Sequence, residues 1–177
     1  GPQGSGQRDR DSLLAGIDGM LFGDTPEEGY VRGRSFVHPK LGIAFTVPEG
    51  FTIDNSAAAV TASGPGDVAI RFDGVTLDPR VPLADYLRSG WVAGLQDGSV
   101  RAETVNGNEA ATALARAEGW QFNVTVIRAG SQVYRLLTAA PAASNALQPT
   151  AQAVSASFRV LSEAERARVK PLRVRVV

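Results

Sequence analysis

Apolar residues recur at every second position over most of this chain, and at every third or fourth position in a few short stretches. Arg34–His38 and Ile43–Val47 are predicted strands around the turn His38-Pro39-Lys40-Leu41-Gly42, and Pro48-Glu49-Gly50 turns the chain again. Ala57–Ala62 is a further strand, closed by Ser63-Gly64-Pro65-Gly66. Val68–Leu77 follows, with a bulge or bend expected at Asp73-Gly74. Arg101–Leu114 is split by Asn106-Gly107, a tight-turn pair. Trp120–Arg128 places Trp120, Phe122, Val124 and Val126 on one face and Gln121, Asn123 and Thr125 on the other. Ala129-Gly130-Ser131 turns the chain into Gln132–Ala139.

Helical spacing predicts helices over Asp11–Phe22, Pro82–Leu95 and Leu147–Phe158. A fourth starts at Ser162-Glu163-Ala164-Glu165, whose Ser and Glu stand at the two positions of a capping box, and stops at Pro171. Leu172–Val177 then alternates as a short strand. Helices separated by hairpins predict an α+β fold, a central antiparallel sheet flanked by helices.

Composition narrows the chemistry. The 177 residues carry 18 basic and 18 acidic side chains, so no general attraction to nucleic acid or anionic membrane is implied. No apolar run has the length of a membrane span. There is no cysteine, which removes thiol nucleophiles, disulfides and thiolate metal sites. A histidine-based metal site or a Ser-His-Asp triad would have to pass through His38, the one histidine. The leader GPQGSGQRDR reads as flexible, and Gly1-Pro2 matches what a cleaved expression tag leaves.

The remaining candidates each have a plainer reading. His38 stands at a strand end before a proline. Glu27-Glu28, and Glu103 with Glu109 across the Asn106-Gly107 turn, are possible carboxylate pairs, yet charges beside turns are commonly only solvated. Asp67, Asp73 and Asp78 do not follow a calcium-loop spacing, and the glycines form no phosphate-binding motif. Asn123-Val124-Thr125 is a formal glycosylation sequon inside a strand. The segment Arg159–Val177 is basic, either as a docking face or as a solvated helix followed by an Arg-blunted edge strand. The aromatic residues sit mostly at core phase. Strand edges beside Gln132–Ala139 or Leu172–Val177 are candidate peptide-pairing sites.

The run Leu14–Gly33 (LAGIDGMLFGDTPEEGYVRG) resembles a junction in bacterial zinc metalloproteases of the HtpX/BepA type. Phe36–Phe51 (FVHPKLGIAFTVPEGF) and the closing Pro171–Val177 resemble text that follows it in those proteins. The resemblance implies an envelope-associated or periplasmic parent enzyme that hydrolyses misfolded envelope proteins, of which this chain would be a C-terminal, non-catalytic accessory domain. Zinc is then expected in an upstream protease domain, since this chain has no H-E-x-x-H and no catalytic, cofactor or metal residue carries over. Its partners would be that protease domain and unfolded or envelope proteins. The expected division is 1–10 leader or tag remnant, 11–33 junction helix and linker, 34–161 sandwich domain, and 162–177 C-terminal helix and strand. The strand Gly42–Phe51, the middle helix and the closing helix before Phe158 also resemble PsbP-like α/β/α sandwiches, which implies the alternative of a free-standing protein-binding module.

Overall fold

Four long stretches of alternating sequence pair in succession and make the centre of the molecule, here a computed structural model that describes residues 10, 11, 14, 28–56 and 59–169. The strands are β1 (Tyr30–Arg32), β2 (Ser35–His38), β3 (Ile43–Thr46), β4 (Thr52–Asn55), β5 (Val60–Ser63), β6 (Ala69–Val75), β7 (Arg101–Val105), β8 (Asn108–Ala117), β9 (Trp120–Ala129), β10 (Gln132–Pro141) and β11 (Arg159–Val160). The helices are α1 (Leu83–Leu87), α2 (Leu147–Ser157) and α3 (Glu163–Val169). Seven strands form one sheet in the order β4-β5-β6-β10-β9-β8-β7, and four form a smaller one, β1-β2-β3-β11. Every pairing is antiparallel. The class is α+β, as the pattern predicts.

Alternation gives the large sheet two buried faces. On the inner face, Ile70, Phe72, Ile127, Tyr134 and Leu136 meet Phe36, Ile43 and Phe45 of the small sheet and Val154 of α2. Phe72 lies at the centre: its ring is stacked on Tyr134 at 5.7 Å and within 6.3 Å of Phe36, Phe45 and Phe158. The outer face carries Trp120, Phe122, Val124, Val126 and Leu137, covered by Leu83 and Leu87 of α1 and by Leu14. A sheet covered on both sides needs near-continuous apolar strands, which is why β10 is buried at eight consecutive positions.

The Asn106-Gly107 hairpin forms as expected, with φ of 46° and 82°, the left-handed pair a two-residue turn requires. The capping box at Ser162 also forms: Ser162 Oγ accepts from Glu165 N–H at 3.1 Å and Glu165 accepts from Ser162 N–H at 3.3 Å.

Four expectations are corrected. The middle helix is five residues, Leu83–Leu87, rather than Pro82–Leu95; Pro82 caps it in an extended conformation. The chain beyond turns through Gly90 and Gly94 and runs beside β8, with Leu95 bridged to Ala115 and Gln96 N–H bonded to the Leu114 carbonyl at 2.9 Å. There is no bulge at Asp73-Gly74, where β6 keeps unbroken register with β10. The third strand runs later than Ala57–Ala62, as β5 over Val60–Ser63. β10 is the middle strand of seven, paired on both sides, so it offers no free edge. The short strands β1, β4 and β11 carry too little alternation to announce themselves. The predicted helix Asp11–Phe22 falls largely outside the described residues, as does the strand Leu172–Val177. Arg10, just before the former, and Leu14, within it, are buried against the domain.

Candidate functional site

The inner face loses its apolar character towards β7. Residues opposite one another in register share a face, so Arg101, Thr112 and Thr125 lie in one row there. Asn123 stands beside them in the next row, paired with Leu114 and Thr138. α2 is eleven residues long and packs over β9, β10 and β3, leaving the row above β7 and β8 uncovered. The result is a groove of about 310 Å³ between helix and hairpin. Its far end is tied by Asn106, whose Nδ2 donates to the carbonyls of Ala156 at 2.9 Å and Phe158 at 2.6 Å. The turn that closes the β7–β8 hairpin thereby also fixes the distance between the two walls.

The floor is a buried neutral polar cluster. Thr125 Oγ1 donates to Asn123 Oδ1 at 3.0 Å. The Thr112 hydroxyl lies 3.1 Å from both Thr125 Oγ1 and the carbonyl of Val124. Asn123 is only 7% exposed and its Oδ1 is held by this cluster, yet among the described residues its Nδ2 donates to nothing while the side chain lines the groove. That nitrogen is not among the buried atoms without a partner; it reaches solvent through the groove and is a donor open to a ligand. The helical wall presents Gln148, Ala151, Gln152 and Ser155 on one face, at i, i+3, i+4 and i+7. At the rim, Arg101 is paired with Glu103 at 3.2 Å.

A second polar cluster lies on the outer face. Arg135 and Asp73 are directly opposite in register and form a bidentate pair with both contacts at 2.8 Å. Arg71 adds a contact to Asp73 at 3.5 Å. Burial pulls the Arg135 pKa down, but the bonds and charge of Asp73 hold it above its usual value, so it stays charged. From the covering segment, Tyr86 Oη accepts from Arg135 at 3.0 Å and the Trp91 ring lies 4.7 Å from the guanidinium. This cluster fastens α1 and its following loop to the sheet. It acts as a clasp.

The sequence candidates mostly take the plainer reading. His38 ends β2, buried, with Nδ1 accepting from Leu41 N–H at 2.9 Å and the ring edge-on to Phe36. Burial, with a smaller push from Lys40, lowers its pKa to about 4 against an opposing backbone bond, so it is neutral at pH 7. Glu103 and Glu109 do not meet: Glu109 is opposite Thr104 and pairs with Arg128 at 3.1 Å, on the other face from Glu103. Glu28 is exposed, and Glu27 lies outside the described residues. Asp73 is inside the clasp, whereas Asp78 is exposed and paired with Arg80 at 2.8 Å. Among the described residues no group of three His, Asp or Glu side chains could hold a metal ion, and no helix is long and apolar enough to cross a membrane. Arg159 pairs with Glu165, and Arg166 donates to the carbonyls of Pro39 at 3.1 Å and Lys40 at 2.9 Å, so part of the basic tail is engaged in holding α3 to the β2–β3 turn.

Asn123 and Thr125 are the site residues that sequence reasoning did not single out. Alternation places them on the face opposite Val124, and both are buried there, at 7% and 3%. The available signal was Thr112, a polar residue at the same phase of the neighbouring strand.

No family model matches the chain, and no curated protein matches it in sequence. Several solved structures match in shape, among them the following two. A protein from Bacteroides thetaiotaomicron VPI-5482 aligns over 76% of this chain with a TM-score of 0.55 and 13% identity. This chain spans about half of that protein's length, 51%. The solution structure of cyanobacterial PsbP (CyanoP) from Synechocystis sp. PCC 6803 aligns over 71% of this chain and 91% of its own, with a TM-score of 0.53 and 13% identity. At this identity the likeness concerns architecture, and the architecture of this chain is PsbP-like.

Proposed function

We propose that this chain is a non-catalytic protein-binding module, placed in the bacterial envelope or periplasm. The observation that carries this reading is the groove beside α2, with the Asn123 Nδ2 open to it in the floor and its charged lining residues, Arg101 and Glu103, paired with each other. Neutral amides and hydroxyls on a preformed cleft suit recognition rather than bond breaking. The junction text Leu14–Gly33 favours a more specific setting, the accessory domain of an upstream zinc metalloendopeptidase that degrades misfolded envelope proteins. Zinc would then belong to the protease domain, and this module would recruit or position substrates.

The test is incubation of the chain with casein, with and without added zinc, followed by both a binding and a cleavage readout. The expected result is a saturable complex with intact casein. Zinc-dependent cleavage that disappears in His38→Gln, or failure to bind casein at all, overturns the module reading. The setting is tested separately by translating the coding sequence upstream of residue 11. An H-E-x-x-H helix in frame supports the accessory-domain reading, and a start codon with its own signal peptide points to a free-standing module.

A further inference from the structure

The groove restricts what can occupy it. Its lining lacks any aromatic ring, so it has no platform on which a sugar or a nucleobase could stack. Its cation, Arg101, is already neutralised by Glu103, so an anion gains little there. What remains is hydroxyls and four carboxamides, of which Asn106 is already committed to the end of α2, leaving Asn123, Gln148 and Gln152. A carboxamide carries the same donor and acceptor as a peptide unit and can bond to one along both. The other side chains on the helical wall are Ala151, Ser155 and Ala156, small enough for a main chain to approach closely. From Gln148 to Ser155 the helix advances about 10 Å. That matches three residues of extended chain at ~3.3 Å each.

We propose that this groove binds an extended, uncharged peptide segment through its main-chain amides, with the Asn123 Nδ2 donating to a peptide carbonyl and Gln148 and Gln152 bonding along the same strand. The inference rests on the reading of the chain as a binding module and names the ligand of that site. Bonds to the main chain make recognition tolerant of peptide sequence, and the small wall residues favour ligands with small side chains.

The experiment is an NMR titration of the full ¹⁵N-labelled chain with the capped peptide acetyl-Ala-Ser-Ala-Thr-Ala-amide, with maltotriose and inorganic phosphate as comparison ligands. The peptide is expected to shift the Asn123 side-chain NH₂ and the backbone amides of 148–156. Gln152→Ala and Ser155→Phe are each expected to raise Kd at least fivefold. Gln152 is exposed and has no bond within the described residues, so it decides the matter if Ser155→Phe proves to be unfolded. Shifts confined to the β4 or β7 edge, no shift at millimolar peptide, indifference to both variants, or preferential binding of maltotriose or phosphate would each overturn the proposal. Casein binding that survives Gln152→Ala and Ser155→Phe leaves the module standing and removes the groove as its site. Groove shifts with peptide in a chain that fails to bind casein do the reverse.

Discussion

Single residues show how the same chemistry is structural in one place and available in another. Asp73 and Arg135 are both charged and buried, but each completes the other, and Tyr86 and Trp91 close the cluster. Removing one partner of such a pair strands a buried charge. Asp73→Asn or Arg135→Met alone is expected to destabilise by about 3–5 kcal/mol in urea unfolding, while Asp73→Leu with Arg135→Met recovers a large part of the loss. Recovery stops short of complete because Arg71 keeps its charge beside the site. Equal losses in the single and double variants would show that the clasp contributes through packing alone. Asn123 is the contrasting case: its oxygen is satisfied and its nitrogen is left facing a groove.

At the scale of elements, glycines decide where apolar periodicity is realised. Pro82–Leu95 has a helical spacing, and Leu83, Leu87 and Leu95 do reach one apolar cluster, but only the first turn and a half is helix. Gly94 adopts φ of 70° and lets the chain lie against β8, its carbonyl accepting from Arg116 N–H at 3.1 Å. A Cβ there would overlap the Arg116 carbonyl oxygen. Gly107, at φ of 82°, has open space around the equivalent position. Gly107→Ala is therefore expected to cost about 1 kcal/mol, the backbone penalty alone, and Gly94→Ala clearly more, compared by urea denaturation. Equal costs would mean that the segment after α1 shifts freely away from β8. The long hairpins were legible because two-residue turns and strict alternation are local. β1, β4 and β11 were not, because strands of two to four residues exist only through the neighbours they pair with.

For the whole molecule, the outer face of the large sheet is closed by two different parts of the chain. α1 and the loop after it cover the β7–β9 side. Arg10 and Leu14 cover the Trp120 end, with the Arg10 guanidinium 5.5 Å from the Trp120 ring and its Nη1 donating to the Asp67 carbonyl at 2.7 Å. Deleting residues 1–27 in a Trp91→Phe background is expected to move the Trp120 emission to the red and to lower Tm by several degrees, since indole and sheet face become wet. Unchanged emission would show that the domain closes without this cover.

Sequence by itself determined the class of the protein: period two with short turns gives antiparallel hairpins, the amphipathic spacing of Leu147–Phe158 and a capping box give helices at their places, and the absence of cysteine with one histidine removes most catalytic machinery. Those features depend on neighbours within a few residues. The groove was decided only by tertiary structure. Asn123 and Thr125 read as part of one polar face along β9, and it is the placement of α2 over β9 and β10, with its end tied by Asn106, that buries them while leaving the row above β7 and β8 open. Which side of a strand is wet depends on what packs against it, and that is set by residues more than twenty positions away.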